Sequence, residues 1–449
     1  KVGAGYLTDQ GALFLVAADI GVSLDKANKT EHSIKDLFVG ARDISTIGRV
    51  LSIYPIRSFL KKDSSQETKN RIIIIYDKDA SVKVKLWDDF VNAPEKSGIV
   101  IGNIIRITKA QVKSGMDGKP IVNISTGATI EIVNDEEDKY NVPLIEQITQ
   151  NIENLEGPKE NFVVEGFIHS DPRITEFTNI RGEHSKSLQM ELTDDNNKRL
   201  IRTIIWNVNE DRIPKSLTTG TKLRLIGVRT KSGNPNYGNG DIEVHGDEGT
   251  TIEPTDSGKS ASESYIIRIL SFNKDNSTNK INCICMDENE KYYYLVIDSE
   301  LFNIDIQQDK IVECFPNRVL GNTIEITNQD SYIHALEDDK NIPLSESLDT
   351  KIKNIEVSSK PYFIESIILQ PPNTSEISTK SGETVLVTDT IVGDDTGEIR
   401  LTAWRNTSNM LKNLNIGERI KINAAFASIG KDGKIEVTLK ACSSILKIS

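Results

Sequence analysis

The chain has 449 residues, a formal net charge of -12, 37% apolar residues and only 6% aromatics. At roughly 100 to 200 residues per domain, this length implies two to four separate cores. The abundance of Ile and Val excludes general disorder, no apolar run is long enough for a membrane helix, and four cysteines cannot staple so long a chain.

Cys283 and Cys285 lie one residue apart, without the spacing of a zinc ribbon. A reducing, cytoplasmic setting with no metal, no cofactor and no membrane partner is therefore expected. No stretch resembles a signal peptide, although the chain starts at Lys1 rather than Met. Residues 1–41 read as a small N-terminal helical segment, capped at Thr8 or Asp9, with an apolar face of Leu13, Val16, Ala17 and Ile20 and a stop at Gly21.

Residues 42–133 read as five strands. The first, around Ile47 to Ile53, is broken by Gly48 and runs into Tyr54, Pro55, Ile56 and Arg57. A later one alternates Val82, Val84 and Leu86 with Lys83 and Lys85 and ends at Trp87. Gly102 then opens a strand with Ile104, Ile105 and Ile107. A Gly-rich loop with Lys113 and Lys119 precedes the last strand at 121–124. A glycine within a strand marks the corner of a small barrel. Five strands in so short a length, with long loops after the first and fourth, fit a Greek-key barrel of the OB type.

The same order recurs. Residues 161–249 carry Gly166, Pro172 and Arg173, then Arg202 and Trp206, then Gly220 and Lys231. Residues 359–449 carry Arg400, Trp404 and Arg405, then Gly417, Lys431 and Lys434. All three tryptophans thus close an alternating strand that holds a basic residue, and the Trp-to-Gly spacings are 15, 14 and 13. A third copy, 264–333, keeps the strands but places Ile297 where Trp is expected. The fold expected is all-β with short connecting helices: four tandem OB barrels. Two acidic connectors, 134–160 and 334–358, share their pattern at an offset of 200 and read as short amphipathic helices. Residues 250–263 read as a flexible linker.

The negative charge is unevenly spread. The first barrel has 15 basic against 10 acidic residues, the second 12 against 13, the third 6 against 11 and the fourth 11 against 10. The connectors hold 2 against 8 and 3 against 6. The excess of acid is thereby concentrated in the connectors and the third barrel, so a polyanionic ligand is not excluded.

The second and third strands of such a barrel form a shallow surface on which unpaired bases can stack. A lone Trp would as readily be core. Three in one register point to a surface role for Trp87, Trp206 and Trp404. Lys83, Lys85, Arg202, Arg400 and Arg405 flank the rings, with Arg57 and Arg173 in the first loop and Lys113, Lys119, Lys231, Lys431 and Lys434 in the last. Phe426 and Tyr237 are further aromatics near the last loops. No catalytic constellation is present: the histidines are scattered, and Ser257, Gly258, Lys259 and Ser260 lack the earlier glycine of a phosphate loop.

Three stretches resemble archaeal replication protein A, a single-stranded DNA-binding protein with tandem OB folds. They are Pro55, Ile56 and Arg57; the run from Gly393 through Arg400 to Trp404; and the run from Gly5 to Leu13. The resemblance implies base stacking at Trp87, Trp206 and Trp404, phosphate contacts at Arg57, Arg202 and Arg400, and a role in replication, repair and recombination. Replication and repair proteins become candidate partners for the N-terminal segment or the third barrel. A protein-interaction scaffold and a single-stranded RNA binder are the alternative readings.

Overall fold

The computed structural model describes residues 31–60, 67–134, 139–178, 182–233, 242–255, 264–302, 304–337, 341–378, 384–430 and 432–448. The N-terminal helix expected between residues 8 and 20 lies outside the described residues. These are mostly β-strand with a few short helical turns, arranged as four small barrels. They make two compact units. One draws on Lys1–Gly166, Thr175–Arg212 and Leu223–Glu253, the other on Phe167–Ile174, Ile213–Lys222 and Pro254–Ser449.

The strands of barrel 1 are Ile44–Ile53, Glu67–Tyr76, Ser81–Trp87, Ile104–Ser114 and Pro120–Ile124. The first pairs with the second and fourth, the third with the second and fifth, and the fifth with the fourth, so the sheet closes on itself. Only strands three and five run parallel. Barrel 2 (Phe162–Ile168, His184–Thr193, Leu200–Trp206, Lys222–Ser232, Ile242–Gly246) and barrel 4 (Tyr362–Ile368, Thr384–Gly393, Glu398–Trp404, Arg419–Ile429, Ile435–Ile448) close in the same way. In barrel 3, Pro316 supplies no backbone donor and divides the fourth strand into Ile311–Phe315 and Arg318–Leu320. Its other strands are Tyr265–Asp275, Lys280–Met286, Tyr292–Asp298 and Thr323–Ile326.

Alternation along each strand sends every second side chain inward. Val82, Val84 and Leu86 are buried in the core of barrel 1, beside Ile73, Ile75, Ile105, Ile107, Val122 and Ile124. The corner glycines serve close approach: a Cβ on Gly48 would lie 3.0 Å from the Tyr76 carbonyl oxygen, and one on Gly166 would lie 2.5 Å from Ile152.

Four expectations need correction. The loops after strand one contain hairpin strands, Arg57–Leu60, Arg173–Thr178 and Asn373–Ser378, that pair with strand two. The first connector is not one amphipathic helix but a helical turn, Ile145–Ile148, a strand, Thr149–Asn151, and a 3-10 turn, Ile152–Asn154. The second likewise has 3-10 turns at Ser345–Leu348 and Ile352–Asn354, with Asp349 bridged to Phe363 between them. In both, the backbone between the turns pairs with strand one of the following barrel, and that ladder outcompetes continuation of the helix. The reading of 250–263 as linker also fails in part: Thr251–Pro254 is a strand on barrel 2, while 256–263 lie outside the described residues.

Finally, the position matching Trp in barrel 3 is Asp298, not Ile297. In barrels 1 and 4, the four residues before Trp pair in parallel with strand five, and in barrel 3 the four residues so paired are Tyr294 to Ile297. Ile297 points inward and is fully buried.

Barrels 1 and 2, and barrels 3 and 4, are each joined by an apolar seam that lies within one unit. In the first unit this is Ile47, Leu51, Ile74, Tyr76, Ile104, Val142, Val163 and Ile226. In the second it is Leu270, Ile284, Met286, Ile311, Ile342, Phe363, Ala424, Phe426 and Cys442. A buried arginine on strand one ties the connector to each seam. Arg49 donates to the carbonyl oxygens of Pro143, Gly102 and Val142 at 2.9, 2.7 and 3.0 Å. Arg268 donates to those of Ile342 and Asp309 at 3.0 and 2.6 Å. An Arg49→Met substitution leaves buried carbonyls unpaired, and should lower stability by roughly 2 to 4 kcal/mol in urea unfolding. A loss below about 1 kcal/mol would mean that the apolar seam alone holds the connector.

Candidate nucleic-acid interface

The three tryptophans take the same place because the same local rule acts on each strand. Each is the last residue of strand three, on the outward parity, and each is followed by a residue in the left-handed region: Asp88 at φ 43°, Asn207 at 53° and Arg405 at 57°. The chain turns away immediately after the ring. Trp87 and Trp206 are half-buried, whereas Trp404 is 41% exposed. None is sealed in a barrel interior.

The surroundings of the three rings differ. The Trp87 indole N–H donates to Asn123 Oδ1 at 2.9 Å, and Phe59 of the hairpin strand meets the ring edge-on at 6.0 Å. Lys85 lies over the ring with its ammonium 4.3 Å from the centroid. Burial and the charge of Lys113 hold the Lys85 amine below its ordinary pKa. The Trp206 indole N–H donates to His245 Nδ1 at 2.9 Å, and Phe177 supplies the edge-on ring at 5.3 Å. Trp404 has no ring partner among the described residues, and its backbone exchanges hydrogen bonds with the Thr407 hydroxyl.

Strand register brings several predicted cations into equivalent rows. Lys83 and Lys113 both pair with Ile121, four residues before Trp87 along strand three. The matching row in barrel 2 holds Arg202, Glu243 and Lys231, with Arg202 bound to Glu243 at 3.2 Å. In barrel 4, Arg400 pairs with Glu436 across the strands and binds Asp389 at 3.1 Å. Lys119 is paired with Glu160 at 2.5 Å, and Arg57 with Glu248. Lys83, Lys113, Lys231, Arg173, Arg405 and Lys434 are exposed, and Lys431 lies outside the described residues. Of the further aromatics, Phe426 is buried in the seam against Tyr294 and Tyr237 lies outside the described residues.

Asn123, His245, Phe59 and Phe177 were not legible as site residues. The first two lie on strand five, opposite the residue two before Trp, and only the parallel pairing of strands three and five brings them to the indole. In barrel 3, Asp298 replaces the ring and its carboxylate caps the backbone N–H groups of Glu300 and Leu301.

His245 accepts from the indole at Nδ1, which leaves its proton on Nε2 toward Glu243 at 2.9 Å. Burial holds its pKa below the ordinary value of 6.5, against the opposing pull of Glu243, with Lys231 and Arg229 adding to the depression. A depressed histidine pKa stabilises the fold above the unfolded value, and that contribution disappears as pH falls through the folded one. Acid would then place a proton on Nδ1, against the indole N–H. With Trp206 as sole indole, the change in emission on acidification should be centred below pH 6.5. The change should be absent in His245→Asn. A transition centred above pH 6.5 would contradict this arrangement.

No family model matches the chain. Over 224 residues, the chain is 26% identical to Replication factor A of Methanothermobacter thermautotrophicus, a match covering 47% of this chain and 26% of that protein. The chain thus matches about a quarter of that relative's length. A solved replication protein A heterotrimer bound to single-stranded DNA aligns with 93% of the chain and 96% of its own, at 12% identity and a TM-score of 0.38. A replication factor A related protein from Methanobacterium thermoautotrophicum aligns with 25% of the chain and 98% of its own, at 24% identity and a TM-score of 0.22. Among the described residues, no group of three or more His, Cys, Asp or Glu could hold a metal, and no helix is long and apolar enough to cross a membrane. By sequence, the chain is similar to archaeal replication factor A, as its Trp strands and loop residues had indicated.

Proposed function

We propose that the chain binds single-stranded DNA with little sequence preference and protects it during replication, repair and recombination. The barrels bounded at 42–133, 161–249 and 359–449 act as binding modules, and 264–333 acts chiefly in support. The observation that carries this reading is the outward parity of Trp87, Trp206 and Trp404 at one position of three similar barrels, each ring beside a row with a basic residue. The sequence similarity to a replication factor A supports it.

Stacking on an indole contributes about 1 to 3 kcal/mol per base whatever the base, and lysines and arginines pair the phosphates. At Trp87 a base displaces Lys85 from the ring, and the freed ammonium becomes available to the adjacent phosphate. Several cations start in ion pairs with Glu243, Glu248 or Asp389, so binding exchanges one anionic partner for another. This exchange tempers affinity for duplex, which offers phosphates but no free base faces.

Trp404 provides the cleanest test because the fold uses its ring least. Trp404→Ala should weaken binding of a thymidine 30-mer roughly ten-fold while the urea midpoint stays unchanged, and affinity should fall linearly with the logarithm of salt concentration. Unaltered affinity in Trp404→Ala, or unfolding of that variant, would refute the stacking role. Competition between matched DNA and RNA strands tests the choice of nucleic acid.

A further inference from the structure

Barrel 3 lacks the stacking ring, yet it contributes to the site of its neighbour. The turn that joins its first two strands, where Asp275 pairs with Lys280, forms one side of a cleft of about 610 Å3. The other sides are Trp404, Arg405 and Asn406, strand two at Val385 and Leu386, and Lys440. Asn406 Nδ2 lies 3.5 Å from Asp275 Oδ2 and 3.4 Å from the Ser277 hydroxyl.

The first unit has a counterpart. Strand one carries an irregularity at Ser52 in barrel 1 and at Ser271 in barrel 3, and the residues that follow approach the second barrel of the pair. There Arg57 reaches Glu248, three residues beyond the histidine that holds Trp206. Past that irregularity, one unit presents a guanidinium to the end of strand five of the second barrel, and the other presents a carboxylate to the residues after its strand three.

A carboxylate repels phosphate, so beside a ring that receives a base it favours N–H donors of that base. The Asp275 carboxylate is fixed, since Oδ1 accepts the Ser277 N–H at 2.9 Å and its hydroxyl at 2.6 Å, while Oδ2 accepts a long hydrogen bond from Asn406 Nδ2 at 3.5 Å and keeps a second lone pair toward the cleft. The Ser277 hydroxyl first, then the Ser277 N–H and the side chains of Thr278 and Asn406, hold it below the usual carboxylate range against burial, so it is ionised at neutral pH. Lys440 is already engaged by Tyr294 Oη at 3.1 Å and by the Phe426 ring at 3.9 Å, and does not pair with it. Guanine presents two adjacent donors, N1–H and N2–H, on the edge that is open in a single strand. We propose that this cleft is a guanine-reading pocket, with the base stacked on Trp404 and its Watson–Crick edge directed at Asp275. The inference deepens the stacking reading and rests on it.

The test uses the full chain carrying Trp87→Phe and Trp206→Phe, so that Trp404 alone reports, titrated with thymidine pentamers bearing one central guanine, inosine, adenine or cytosine. Guanine should quench at roughly ten-fold lower concentration than adenine or cytosine, with inosine between because it lacks the N2 amine. Asp275→Ala, on an exposed turn, should reduce that advantage to less than two-fold. Quenching without a guanine preference, or a preference that survives Asp275→Ala, would overturn the pocket and leave stacking intact. No quenching by any pentamer would overturn both.

Discussion

A closed five-stranded barrel leaves each strand residue only two choices, the core or the outer surface, and it assigns them in strict alternation. Strand three of barrels 1, 2 and 4 has a buried residue immediately before the tryptophan: Leu86, Ile205 and Ala403, each at or near zero exposure. Once these are committed to the core, the ring must lie outside. The left-handed residue that follows ends the strand there and keeps the ring at its rim. The same constraint explains barrel 3, where Ile297 takes the inward place and Asp298 the outward one.

An outward ring still has to be held, and the three barrels do this differently. Asn123 and His245 fix the indole N–H from strand five, and Phe59 and Phe177 brace the ring edge from the hairpin that extends strand two. Such rings are pre-organised, which reduces the entropy lost on stacking. Trp404 has no bracing ring among the described residues, is the most exposed of the three, and opens onto the cleft that it shares with barrel 3.

The pairing of barrels depends on a polar device inside an apolar seam. An arginine buried on strand one donates several hydrogen bonds to main-chain carbonyls, so protein dipoles help to solvate its charge. The acceptors include Val142 and Pro143 in one connector and Ile342 in the other, residues matched at the offset of 200. The seams match too, with Val142 and Val163 in one and Ile342 and Phe363 in the other. The repeating unit is therefore a pair of barrels with its connector.

The sequence by itself determined the number of barrels, the strands that build them and the positions of the tryptophans, because these depend on period-two alternation and on turn residues, both local. Corner glycines such as Gly48 and Gly166 were legible for the same reason. Tertiary structure decided everything that depends on register between distant strands: the acceptors at Asn123 and His245, the identity of Asp298 as the ring position in barrel 3, and the approach of Asp275 to the Trp404 cleft. It also decided the connectors. Apolar residues at 145, 148, 152 and 155 have helical spacing, but backbone groups on strand one of the next barrel were available to pair with them, and no local pattern reports where an unsatisfied strand edge will lie.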